Sequence, residues 1–207
     1  MIAREGLEAA LADVVDPVLH SAGFDGSPPI WRRRNDAGDW VVVDAEISGD
    51  DQVQCVVHLA VVPAPWWEFM GVWLGMPPTE VHESLGLYRD RLTPEGWALD
   101  RAEDAEQVAA EIAGLLKDEG LPLLDRLQDR RAMVATVRAG DLGMLKHAQY
   151  PGLFVFAEAV LISEDGPSDR LEELLEAAKA QVAPERAEAL ARYSLWIHER
   201  SKFHGDD

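Results

Sequence analysis

Asp44 and Glu46 stand two residues apart in "WVVVDAEIS" (40–48), and on a β-strand that spacing turns both carboxylates to one face. Neighbouring carboxylates of this kind can serve as general acid and base, or hold a divalent cation. His58 sits on the less apolar face of "QVQCVVHLAVV" (52–62), within reach of that pair if the two strands are neighbours. Arg89 and Arg91 in "YRDR" repeat the two-residue spacing with the opposite charge. Brought together, these side chains would form a carboxylate–arginine pocket, with Asp44, Glu46 and His58 as its catalytic candidates. The simpler arrangement is a salt-bridge lattice on a wet face, because Val41, Val43, Ala45 and Ile47 already supply an apolar side for the same strand.

A second constellation is basic. "WRRRNDAGDW" (31–40) places three consecutive arginines in a chain with 19 Lys plus Arg and 38 Asp plus Glu. Strand alternation divides them: Arg32 and Arg34 face one way, Trp31 and Arg33 the other. With "NDAG" as a four-residue turn, Arg33 falls opposite Trp40 and Arg34 opposite Asp39, so the expected contacts are a cation–π pair and an ion pair. The third constellation is aromatic. Trp66, Trp67, Phe69 and Trp73 crowd "PAPWWEFMGVWLG", either capping the core or forming a recognition surface. The candidate binding residues are therefore Arg33, Trp40, Trp66, Trp67, Trp73, Arg89 and Arg91.

Several chemistries lack their residues. None of the six histidines falls in a zinc-ligand spacing, no glycine loop of the phosphate-binding kind occurs, and no nucleophile elbow appears. No metal or cofactor is expected. Cys55 lies among valines of one parity and reads as a small buried hydrophobe. The formal charge of −19 argues against nucleic acid as a partner and favours a basic protein. A single cysteine excludes an intrachain disulfide, and no apolar run is long enough to span a membrane, so a cytoplasmic protein without membrane contact is expected.

These side chains need elements to position them. Residues 3–22 carry an amphipathic helical stripe that "AGF" ends. Residues 30–34, 39–47 and 52–62 alternate as strands of an antiparallel meander. "VHESLGLYRDRL" and "GWALD" read as a further strand pair turned by "TPEG". Helices are expected over about 103–118 and, after a break at "DEGLP", from Pro122 to about 138. The remainder is helical, with Ser168 as an N-cap. The fold class is α+β: an N-terminal helix, an antiparallel sheet of about four to five strands, then a helical C-terminal half. An α+β domain over 1–140 with a helical extension over 141–207 packed on it is the expected organisation.

"DPVLHSAGFDGSPPIWRRR" and the strand pair "WVVVDAEISGDDQVQCVVHLAV" resemble the opening of the DUF4304 family. Asp44 and Glu46 stand where that family commonly has Asn and Gln. "RDRLTPEGWALDRAEDAEQVAAEIAGLLKDEGLPLLDRL" is similar to the family's arginine strand, tryptophan strand and following helix, so the resemblance spans roughly residues 8–135. It implies a fold and no reaction, the family being one of unknown function. Three functions stay open: a non-enzymatic protein-interaction domain, a toxin-neutralising immunity-type protein, and an enzyme with a carboxylate–arginine pocket on the sheet.

Overall fold

The computed structural model describes residues 3–49, 52–76, 78–99, 101–147, 151–181, 185 and 187–204. Five antiparallel strands lie in chain order: β1 (Asp25–Ser27), β2 (Ile30–Arg34), β3 (Trp40–Ser48), β4 (Val53–Val62) and β5 (Tyr88–Arg91). A sixth, β6 (Trp97–Leu99), shares with β5 the far edge of β4. β5 and β6 do not form the expected hairpin. Tyr88–Arg91 pairs with residues 61 to 58 and Trp97–Leu99 with residues 55 to 53, so the chain keeps one direction and the two are one strand interrupted by residues 92–96. The reason is that β4 is ten residues long and needs a partner along its whole length.

The β2–β3 turn is one residue longer than the four-residue reading. Arg34 pairs with Trp40, Arg33 with Val41 and Trp31 with Val43. A slip of one residue moves every side chain to the other face. Arg34, not Arg33, therefore lies over Trp40, with its guanidinium carbon 5.4 Å from the ring centroid. Asp39 drops out of the pairing and is buried at 3% exposure instead of meeting Arg34. Asn35 drives this: its side-chain oxygen accepts the Asp39 N–H at 2.9 Å and closes the turn.

Pairing sorts the sheet into two faces. Trp31, Arg33, Val41, Val43, Ala45, Cys55, Val57, Leu59 and Val61 share the first, against which the helices pack. Its first helix runs through α1 (Ala3–Ala10), a wide turn over Leu11–Val15 and α2 (Asp16–Ser21). The second runs through α4 (Ala105–Leu115), a wide turn over Leu116–Gly120 and α5 (Leu121–Gln128). Expectation placed a break at "DEGLP", but this helix continues. Pro122 has no N–H to give, and the i→i+5 turn just before it, closed by Leu121 N–H to Leu116 C=O, absorbs the mismatch. Leu11–Val15 ahead of Pro17 is the same device. The true break is at Asp129, whose carboxylate accepts the Ala132 N–H at 2.8 Å and starts α6 (Arg130–Ala139). Gly120 is where the second helix meets the sheet: a Cβ there would sit 3.3–3.4 Å from Leu92 and Leu59.

The second face is covered in part by residues 78–87, which cross it as coil with one tight turn at Glu83–Leu85 instead of forming a strand. Gly86 permits the crossing, since a Cβ would come within 2.9 Å of that of Ala60. The tryptophan segment is helix α3 (Ala64–Leu74), and Trp66 donates to Leu85 C=O at 3.2 Å. Helix α7 (Pro151–Ile162) lies against α3, α6 and α8 (Asp169–Gln181), and α9 (Ala187–His204) lies against α3. Ser168 accepts the Leu171 N–H as the expected cap of α8. Phe69, Phe156, Tyr193 and Trp196 interlock there, with ring centroids 5.6–5.9 Å apart around Phe69.

A chain of ion pairs joins these parts. Asp39 accepts both the Ala64 N–H at the start of α3 (2.7 Å) and Arg130 (2.8 Å), and Arg130 also meets Glu164 at 3.0 Å. Glu164 in turn meets Arg200, which also bonds Glu68. Arg130→Met leaves Asp39 a buried anion with a backbone N–H as its remaining strong partner. The expected loss is about 3 kcal/mol by urea denaturation, and a loss under about 1 kcal/mol would contradict the role given to this pair.

Candidate functional site

The uncovered end of the second face carries the side chains singled out for chemistry. Asp44 is opposite His58 in the β3–β4 pairing, Glu46 opposite Val56, and Arg91 opposite His58 from the other side. β2 ends at Ile30 because Pro29 offers a carbonyl to Ala45 N–H (2.8 Å) but has no N–H of its own. Past that point the edge of β3 is open, and α1 leans in to cover it. Arg4 donates to Ile47 C=O at 2.6 Å. The result is a cavity of about 290 Å³ lined by Arg4, Glu8, Asp44, Glu46, His58 and Glu83, with Pro29, Ala45 and Ile47 as its apolar wall.

Hydrogen bonds couple the acids. His58 is buried at 2% exposure and its Nε2 lies 3.1 Å from Glu46 Oε2. Glu83 meets Arg89 at 3.1 Å and is hydrogen-bonded to Asp44. Burial pushes the Asp44 carboxyl up to about 7, helped by the hydrogen bond to Glu83 and the charges of Glu83 and Glu46, against a smaller pull from Arg32. Burial pushes Glu83 up as well, but the Asp44 hydrogen bond and the Arg89 charge outweigh it and hold Glu83 below its usual range. The shared proton therefore belongs on Asp44, with Glu83 as the anion.

The other candidate residues are placed elsewhere. Arg33 is spent within the chain: it lies 4.9 Å over Phe24, donates to Ala22 C=O (2.9 Å) and Gln128 (2.9 Å), and pairs with Asp125. It staples β2 to α2 and α5 on the helix-covered face. Trp40 is half-buried under Arg34. Trp66 is 1% exposed, and Trp67 and Trp73 are half-buried against the core, Trp73 stacking on Tyr193 at 5.1 Å. Arg89 belongs to the site through Glu83. Arg91 is exposed and turns to Pro94 C=O at 3.1 Å, so it makes none of the ion pairs expected with Asp44 or Glu46. Cys55 is buried and its thiol is pushed up to about 12 by burial, which makes it inert.

Sequence reasoning missed Glu83, Arg4 and Glu8. Glu83 shares the odd parity of Arg89 and Arg91, and that was the available signal. For Arg4 and Glu8 there was none, because nothing local says which strand edge α1 will cover. Among the described residues no group of three or more His, Cys, Asp or Glu side chains is arranged to hold a metal ion.

The model of a domain of unknown function, DUF4304, matches residues 15–126, more than half of the 207-residue chain. The chain belongs to this family. No curated protein and no solved structure matches it. The DUF4304 region contains the six strands found among the described residues and supplies Asp44, Glu46, His58, Glu83 and Arg89, whereas Arg4 and Glu8 come from ahead of it. Among the described residues no helix is long and apolar enough to cross a membrane.

Asp44 gives this site a pH signature. Between about pH 4 and 7 the folded chain holds a proton that the unfolded chain has released, so stability falls as pH rises through that window. Asp44→Asn keeps a donor to Glu83 and removes the effect. Allowing for the half-buried setting, it should gain about 1–2 kcal/mol over wild type near pH 8 and almost nothing near pH 4. Chemical denaturation across that range is the measurement, and parallel pH profiles for the two proteins would refute the assignment.

Proposed function

We propose that this DUF4304 protein is a non-enzymatic binding domain that docks a basic protein through the acidic pocket at the open edge of β3. The observation that carries the reading is convergence: Glu8 from the first helix, Asp44 and Glu46 from β3, and Glu83 from the crossing segment reach one cavity. The chain's charge of −19 steers a cationic surface toward it, and the pocket gives that attraction a place to end. The aromatic segment is not the docking surface in this reading, because Trp66 and Phe69 are buried and Trp67 and Trp73 pack half-buried against the core. Neutralisation of a basic toxin is one form that such docking can take.

Proton-transfer catalysis is a second reading, supported by the hydrogen-bonded Asp44–Glu83 pair, in which burial pushes Asp44 up to about 7 while Glu83 is held low. A turnover abolished by Asp44→Asn would replace the binding reading with this one.

The binding reading is tested by capture from native lysate on the immobilised chain, wild type beside Glu8→Gln/Glu46→Gln. Both side chains are exposed, so the fold tolerates the change. The wild type should retain a basic protein that elutes with salt, and the variant should hold it about tenfold less tightly. Equal retention by the two, or a captured protein that is not basic, would sink it.

A further inference from the structure

His58 narrows what enters the cavity. Its ring is 3% exposed, and Nε2 faces a carboxylate oxygen of Glu46, so Nε2 carries the hydrogen and Nδ1 presents a lone pair. Nδ1 is buried and has no hydrogen-bond partner among the described residues, on a ring that lines the cavity. A buried acceptor without a donor is an unusual arrangement that calls for a missing N–H or O–H. The carboxylates beside it also accept. Glu8 and Glu46 have no lysine or arginine within ion-pair distance among the described residues, and the cavity's own cation, Arg4, is engaged by Ile47 C=O. The volume, about 290 Å³, lies at the small end of ligand pockets and suits one side-chain head rather than an extended molecule. Pro29, Ala45 and Ile47 form a strip on which methylene groups can lie.

We propose that the cavity receives a single N–H-donating organic cation on an alkyl stem, the ammonium or guanidinium head of a lysine or arginine, bonded to Glu46, the Asp44–Glu83 pair and Nδ1 of His58. This rests on the reading of the domain as a binder of a basic partner and names the group recognised. Entry of the cation displaces the proton on Asp44. The titratable and charged groups around Asp44 are Arg32 from β2, Glu46 on β3, His58 from β4, Arg89 from β5 and Glu83 from the crossing segment, with Arg4 and Glu8 of α1 lining the same cavity. The arginines oppose the cation and the carboxylates favour it. With the carboxyl near 7, affinity should rise about tenfold between pH 6 and pH 8, because the proton must leave before the cation binds.

The test uses the full chain with labelled histidine nitrogens, titrated by NMR with n-butylammonium and n-butylguanidinium. Both should move the His58 Nδ1 resonance with dissociation constants of about 1–10 mM, and the tighter of the two tells lysine from arginine. Butyltrimethylammonium, which has charge but no N–H, should leave it in place. Glu46→Gln should weaken binding about fivefold. A stationary His58 resonance, an equal response to the trimethylated cation, or an affinity indifferent to pH overturns the proposal. If the small cations fail while capture of a basic protein still depends on Glu8 and Glu46, this assignment falls and the binding reading stands. If they bind as described and no basic protein is captured, the site assignment holds and the binding reading falls.

Discussion

Nine consecutive residue pairs join β3 to β4, from Trp40–Val62 to Ser48–Gln54, and this ladder dictates what every other part can do. Once it is set, Val41, Val43, Ala45, Cys55, Val57, Leu59 and Val61 fall on one side, and Asp44, Glu46 and His58 fall on the other beside Val42, Ala60 and Val62. The two broken helices then have one apolar surface to cover. The opposite side is left to α3 and the crossing segment, which shield Val42, Ala60 and Val62 and reach the acids only through Glu83. The half-buried state of Asp44 and the burial of His58 follow from where that cover ends. The raised pKa of Asp44 comes from the fold's incomplete second layer.

Much of this was legible in the chain because strand parity is a strict code. The shared face of Asp44 and Glu46, the proximity of His58 and the buried side of Cys55 all follow from a period of two. What was lost depended on counting by one. A five-residue turn in place of four gave Trp40 to Arg34 and left Arg33 to the helix-covered face, and a helix that widens ahead of Pro122 ran through an apparent break. Both errors come from local backbone devices, an Asn35 turn and an i→i+5 turn, that hydrophobic patterning does not encode. The pocket's third wall, Arg4 and Glu8, is a tertiary fact: it exists because β2 ends at Pro29 and leaves an edge that the first helix covers.

The aromatic residues show the same division. Their density in "PAPWWEFMGVWLG" was plain, but their use was decided by residues more than eighty positions later. Helix α9 brings Tyr193 and Trp196 against Phe69 and Trp73, and α7 brings Phe156. Asp39 and Arg130 tie the same region together by charge, so α3 is held at its start by a carboxylate and along its length by rings. Of the two uses open to these residues, capping the core or forming a recognition surface, their packing against the C-terminal helices corresponds to the first.

The two wide turns have a consequence for how this chain tolerates change in length. Each holds one residue more than an α-helix of the same span requires, immediately before an Asp–Pro or Leu–Pro step. Loss of a single residue from either would regularise the hydrogen bonds locally. Everything downstream would keep its place, with Leu19, or Leu124 and Leu127, still on the face they bury, whereas a residue lost elsewhere in either helix would swing it by about 100° around the axis. The wide turn is thus a phase correction, absorbing the one residue that would otherwise carry the apolar stripe of each helix out of step with the sheet beneath it.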